Sequence, residues 1–516
     1  MQEIESEIAA VKDKLYKLFE RHRKARVQMN DLHDPMSARL PVEIISKIFQ
    51  TCIPTELFSA SPYMEEQPQA NRRLLATPFT LGAVCRNWRD IAWSTPGVWN
   101  FIDIDADRVG KRVELQDLAM EWLSRSGNLP LSLKVHSSSK TFSPRTSLGV
   151  RALSECLNKL SPRWQTLDLT LPRDCLSLFQ GTYGTPSILQ SLRLETKRLS
   201  EGDSGFEMAN ASPRELRLCG DFSFNSIAIG FNRLTHIQVF RIGLKECVEM
   251  AKHAQLLESF AIVGTKQPDE DDSSFSGKVV TLPCLRRLRI CDRIGVSPLL
   301  TCISCPALET LTFENVQYGR LGLATLSFLI HSSCHLQQLF FLETPINDSD
   351  MISLLKGIPS LRHLHVSPCF WVWKEENLLE RLTETVIPDE NVEEGQFLPL
   401  LTSFTYLINR PWHWTWNKLF AEVEKLFGMR QRPLKFIQLY IKGWSANDAP
   451  LSYIDVDILD HIHNLWEAGM KLAIFTEIED VDIIKTSRNY HHSKQSQTSS
   501  ESIIQRSSGH KDLALL

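Results

Sequence analysis

Between Trp164 and Leu439 one short pattern recurs: an apolar residue, two others, an apolar residue, one other, and a third apolar residue. It reads WQTLDL (164), LQSLRL (189), LTHIQV (234), LESFAI (257), LRRLRI (285), LETLTF (308), LQQLFF (336), LRHLHV (361), LTSFTY (401) and LKFIQL (434), with a further copy, PRELRL (213), led by proline. Successive starts are 25, 24, 21, 23, 28, 23, 28, 25, 40 and 33 residues apart. Alternate apolar residues predict a strand with one buried face. Parallel neighbours need a crossover of a dozen or more residues, which these intervals supply. A single unit buries too little to be stable, so the units must stack. The expectation is an α/β chain with a parallel sheet across 101–486.

FIDID (101–105) and LPLSLKV (129–135) add two strands ahead of the series. Between them Leu115, Leu118, Ala119, Trp122 and Leu123 fall on one side of a helix. By the period of two, the residue between the last two apolar slots of each copy faces away from the core. These residues are Asp168, Arg193, Arg217, Gln238, Ala261, Arg289, Thr312, Phe340, His365, Thr405 and Gln438. Arg193, Arg217, Arg289, Phe340 and His365 are the candidate client-binding residues, suited to a protein ligand with an acidic end.

Ahead of the series, LPVEIISKIF (40–49) and LGAVCRNWRDIAWSTPGVW (81–99) flank an insert over 51–80. Pro41 suits a first helical turn, where its missing N–H has no intrahelical partner. That puts Leu40 at the N-cap, where an apolar side chain satisfies no orphan N–H group. Ile44, Ile45, Ile48, Phe49 and Cys52 continue at helical spacing, and Leu81, Val84, Cys85 and Trp88 predict a second short amphipathic helix. Taken singly, such residues are more often interior than interface. Leu40 in a capping position and a module too small to bury both faces point to an interface.

The pattern LPxEIxxxIF followed by VCRxWRxIAxxTPxxW resembles an F-box, in the form found in mushroom-type fungi, and the strand series resembles degenerate leucine-rich repeats lacking their regular asparagine. The resemblance implies a helical F-box-like module (35–100) that docks on a Skp-type adaptor, and through it a cullin, followed by an irregular leucine-rich-repeat solenoid (101–486) that holds a protein client. It assigns adaptor binding to Leu40, Pro41, Ile44, Ile45, Leu81, Val84, Cys85 and Trp88. The implied role is that of a non-catalytic, substrate-recruiting subunit of a ubiquitin ligase. A protein-interaction scaffold outside any ligase is the alternative, and an α/β enzyme has only the strand and helix alternation in its favour.

Residues 1–34 set Ile4, Ile8, Val11, Leu15 and Leu18 at alternating spacings of four and three, continued by His22, Ala25, Met29 and Leu32. This heptad seam predicts a coiled-coil-like helix that pairs two copies as a homodimer or folds back on its own body. ERHRKAR (20–26) reads as a solvated helix face before a nuclear-import or nucleic-acid signal. QPDEDDSSFSG (267–277) reads as an exposed acidic loop, 370–396 as a longer helix and loop, and 487–516 as a flexible tail. Trp412, Trp414 and Trp416 form an aromatic cluster that would either anchor a partner or cap the core.

A net charge of −4 argues against nucleic acid as the principal partner. Twelve cysteines without a dense framework read as reduced thiols, and no leader or membrane-length apolar run is apparent, so a cytosolic or nuclear location is expected. GDSG (202–205) lacks a matching histidine context, and Cys302 with Cys305 lacks a second ligand pair. No P-loop, dinucleotide fingerprint or HExxH occurs, and Tyr490, His491 and His492 fall in the expected tail, so neither a cofactor nor a catalytic site is expected.

Overall fold

A computed structural model describes residues 2–32, 34–53, 77–139, 141–182, 184, 186–196, 205–265, 279–291, 297–316, 321–344, 346, 348–367, 378, 381–382, 397–409, 415–428, 433–442, 453–476 and 481–494. Most of the insert, the acidic loop, most of GDSG, nearly all of 370–396, Trp412, Trp414 and the chain beyond 494 lie outside these residues. The protein is α/β and divides into two compact units, Met1–Arg233 and Leu234–Leu516. The boundary falls inside the stretch read as one array.

The first unit opens with α1 (Gln2–Leu32), α2 (Pro35–Arg39), α3 (Val42–Thr51), α4 (Thr77–Val84) and α5 (Arg86–Ser94). Parallel strands β1 (Phe101–Asp105), β2 (Leu131–His136), β3 (Trp164–Thr170), β4 (Ser191–Glu195) and β5 (Glu215–Cys219) follow in spatial order. Helix α6 (Val113–Arg125) makes the first crossover and α7 (Pro144–Asn158) the second. The second unit has parallel strands β6 (His236–Ile242), β7 (Ser259–Thr265), β8 (Arg287–Cys291), β9 (Thr310–Glu314), β10 (Gln338–Leu342), β11 (His363–Ser367), β12 (Ser403–Asn409), β13 (Phe436–Lys442) and β14 (Lys471–Thr476), each beside the next.

The repeated pattern accounts for the register. Its second slot forms one continuous pairing, Leu167 to Leu192 to Leu216, in the first unit. In the second unit the same slot runs from Ile237 through Phe260, Leu288, Leu311, Leu339, Leu364 and Phe404 to Ile437. Every one of these side chains is buried. A slip of one residue would turn such a row to the opposite face, so burial of alternate positions fixes the pairing.

One regularity carries no uniform residue type. The seventh residue after the first slot has positive φ in five copies: Gly220 (122°), Arg241 (58°), Gly264 (60°), Asn315 (54°) and Glu343 (47°). Strand ends therefore share a left-handed residue, glycine in two copies and an L residue under steric cost in three.

The last element departs from the sequence reading. Helix 483–494 enters the region expected to be a tail. Ile483, Ile484 and Ser487 are buried, Tyr490 stacks on Tyr453 with ring centres 4.0 Å apart, and His491 Nε2 lies 2.9 Å from the Ile454 carbonyl oxygen. The polar composition masked an amphipathic turn. Cys302 and Cys305 are both buried, and burial pushes the Cys305 thiol up, as expected of inert core cysteines. No group of three or more potential metal ligands occurs among the described residues. No helix among them is long and apolar enough to cross a membrane.

Candidate functional site

The helical module begins at Asp34, a residue the sequence reading passed over. Its carboxylate caps α2, accepting from the Met36 and Ser37 N–H groups at 3.1 and 3.2 Å and from the Ser37 hydroxyl. It also accepts from the Trp88 indole N–H at 3.0 Å and lies 3.7 Å from Cys85 Sγ. Burial pushes this carboxyl up, but the hydrogen bonds from Ser37, Trp88 and Met36 outweigh it and hold Asp34 below its ordinary range. One side chain thus ties the entry of the module to a helix 54 residues away in sequence.

Helix α3 starts one residue later than its sequence suggests. Pro41 is the N-cap and its carbonyl accepts from Ile44 and Ile45 at 3.1 and 3.2 Å. Leu40 lies just outside, closing α2 through its N–H to the Met36 carbonyl at 2.9 Å. Proline caps without a side-chain acceptor because its backbone is already extended, with φ −58° and ψ 150°. The second amphipathic helix is in fact two. Cys85 breaks it with φ −152° and serves as N-cap of α5, its sulfur accepting from the Trp88 N–H at 3.4 Å.

Inside the module Ile45 and Phe49 are fully buried, and the Phe49 and Trp88 rings stand 5.0 Å apart. An aromatic cluster of Phe79, Trp93, Trp99 and Trp122 joins α4 and α5 to α6, with the Arg125 guanidinium 5.3 Å from the Trp93 and Trp99 ring centres. Trp99 and Trp122 donate their N–H groups to the Ala92 and Phe101 carbonyls. Gly82 permits this closeness, since a Cβ there would lie 2.0 Å from the Trp93 ring.

The eight sequence-assigned positions therefore separate. Ile45, Leu81 and Cys85 are buried and act by packing the module. Leu40, Ile44 and Val84 keep 37%, 48% and 41% of their surface exposed, and Pro41 is also exposed. Val42, which the spacing did not single out, is 54% exposed. Trp88 is half-buried, its indole held between Phe49 and Asp34. The first turn of α3 and the end of α4 thus carry uncovered aliphatic side chains on a module whose other side is packed. No family model matches the chain, and no curated protein matches it.

The residues expected to face outward share one face of the strands in each unit, although Asp168 and Thr405 among them are buried. Asp103, Lys134, Asp168, Arg193 and Arg217 pair in register in the first unit. Gln238, Ala261, Arg289, Thr312, Phe340, His365, Thr405 and Gln438 do so in the second. The arginines are not an open acid-binding set. Arg193 is 2.9 Å from Glu195 and 3.9 Å from Asp168, and Arg289 Nε is 3.0 Å from Glu314. The acidic partners come from the same strand or the next one along the same face. Asp168 is fully buried, and burial pushes its carboxyl up against the pull of Arg193 and Lys134. Arg217 is drawn down by burial. Phe340 and His365 form a half-buried ring pair 6.0 Å apart, and burial holds the imidazole below its ordinary value.

A groove of about 900 Å³ opens between α3 and the N-terminal ends of the first unit's strands, with Lys47, Gln50, Ser132, Gln165, Gln190 and Arg214 in its lining. Lys47 and Gln50 come from α3, and Ser132, Gln165, Gln190 and Arg214 precede or begin strands, outside the apolar slots the repeated pattern marks. Sequence spacing therefore gave no sign of them.

Proposed function

We propose that this protein is the substrate-recruiting F-box subunit of a Skp-cullin-F-box type ubiquitin ligase. The uncovered aliphatic side chains Leu40, Val42, Ile44 and Val84, together with Pro41 and Trp88, serve the docking of a Skp-type adaptor. Ile45, Leu81 and Cys85 keep the module in shape. The strand series serves as a leucine-rich-repeat solenoid that holds a protein client, and ubiquitin transfer is done by other subunits. The observation that carries this reading is the exposure of Leu40, Ile44 and Val84 on a module otherwise packed by Ile45, Phe49 and Trp99. Contiguous apolar surface left open on a folded chain, beyond scattered single residues, marks an interaction site.

For the client, the polar groove beside α3 and the Phe340–His365 pair are better candidates than Arg193 and Arg289, whose charges are met internally. Adaptor capture by the full chain tests the proposal. Leu40→Ala and Ile44→Ala should each cost more than about 1 kcal/mol of binding, as interface anchors do. Wild-type affinity retained by the double variant would favour the scaffold reading, in which the module is structural.

A further inference from the structure

We infer that the groove beside α3 takes an extended, uncharged peptide segment and reads its main chain. This rests on the client-holding role just proposed and gives the client its chemistry at that groove. Four carboxamides line it: Gln50 from α3, Asn100 just ahead of β1, Gln165 in β3 and Gln190 just ahead of β4. A carboxamide carries an acceptor oxygen and N–H donors on one planar group, the same pair that every peptide unit offers.

The chain itself makes little use of these groups. Gln165 Nε2 donates to Gln190 Oε1 at 3.4 Å and Asn100 Nδ2 to the Pro130 carbonyl at 3.5 Å, both at the long limit of a hydrogen bond. The bond between the two glutamines uses one donor and one acceptor, which leaves Gln165 Oε1 and Gln190 Nε2 for a ligand. Gln50 is set in place by Gly97, where a Cβ would lie 2.9 Å from Gln50 Cδ, and its amide makes no hydrogen bond among the described residues.

Charge gives a ligand little to pair with. Lys47 and Arg214 stand against Glu215 in the lining, and Glu215 accepts from Ser191 Oγ at 3.3 Å. Length favours a chain. The lining runs from Phe101 in β1 to Glu215 in β5, four strand spacings or about 19 Å, which about six extended residues span. Its apolar members, Ile53, Phe101 and Leu129, gather at the β1 end, so an aliphatic residue of the segment belongs there. A run of sugar rings would call for several aromatic faces, whereas Phe101 is the one aromatic residue in the lining. Main-chain hydrogen bonds then supply affinity and the apolar end supplies selectivity, as in other extended-peptide sites.

The test is fluorescence anisotropy of the full chain with two labelled, end-capped peptides, Leu-Ser-Thr-Ser-Thr-Ser and its reverse, because the groove does not fix the chain direction. One of them should bind. N-methylation at every second residue, in one of its two phases, should weaken it about tenfold or more, and so should Gln165→Ala with Gln190→Ala in the protein. That variant should keep wild-type affinity for the Skp-type adaptor, which shows that it is folded. Neither peptide binding at millimolar concentration overturns the inference. So does an N-methylated peptide as tight as its parent in both phases, or tighter binding of Leu-Asp-Thr-Asp-Thr-Asp or of maltohexaose. Adaptor titration of the same preparation separates the two claims: a chain that binds adaptor but neither peptide refutes this inference alone, and one that binds peptide but no adaptor supports it and refutes the ligase role.

Discussion

Removing the Asp34 carboxylate as Asp34→Ala leaves the Trp88 indole N–H and two N–H groups of α2 without their acceptor. The expected loss is about 1–3 kcal/mol, read as a lower urea midpoint. Because the folded pKa lies below its ordinary value, this contribution is present above the unfolded carboxylate pKa and fades as pH falls through the folded one. Module unfolding by wild type and by Asp34→Ala should therefore converge on acidification, and a constant gap would count against the hydrogen-bond account. Trp88 was legible in the sequence through its helical spacing. Asp34 was not, since its partners Cys85 and Trp88 lie 51 and 54 residues away and spacing reports only neighbours on one element.

At the scale of the strand, alternation and interval were enough to place both the inward and the outward rows, because burying every second residue leaves one register open. The left-handed residue that closes five strands was hidden, since glycine, arginine, asparagine and glutamate all occupy it. Glu343 takes that conformation at a steric cost of about 1–2 kcal/mol, against about 0.5–1 kcal/mol for the added freedom of glycine in the unfolded chain. Glu343→Gly is thus expected to stabilise the protein slightly. Gly220→Ala should destabilise it, because the new Cβ would also lie 2.4 Å from Thr196 Oγ1. Thermal unfolding of the two variants should move in opposite directions. Helix boundaries were less legible. Cys85 reads as one more apolar residue at helical spacing, yet its extended backbone and its sulfur acceptor end one helix and start another.

On the scale of the whole molecule, the sequence indicated the order of parts but not their division at Arg233, nor the helix that continues to residue 494. Both depend on packing between distant segments. Charge pairing was equally out of reach: Arg193 and Arg289 read as ligand-facing arginines, and only strand register shows Glu195 and Glu314 beside them. Spacing grouped Leu40, Ile44, Ile45 and Val84 as one adaptor-facing set, whereas burial separates Ile45, packed with Phe49, from Leu40, Ile44 and Val84, which stay uncovered together with Val42. The central claim is that a Skp-type adaptor covers that patch. Calorimetric titration of the purified adaptor into the full chain at several temperatures tests it most directly. The account predicts one adaptor per chain with a negative heat-capacity change, the mark of apolar burial. An absence of binding at micromolar concentrations, or binding that Ile44→Asp leaves unchanged, would contradict it.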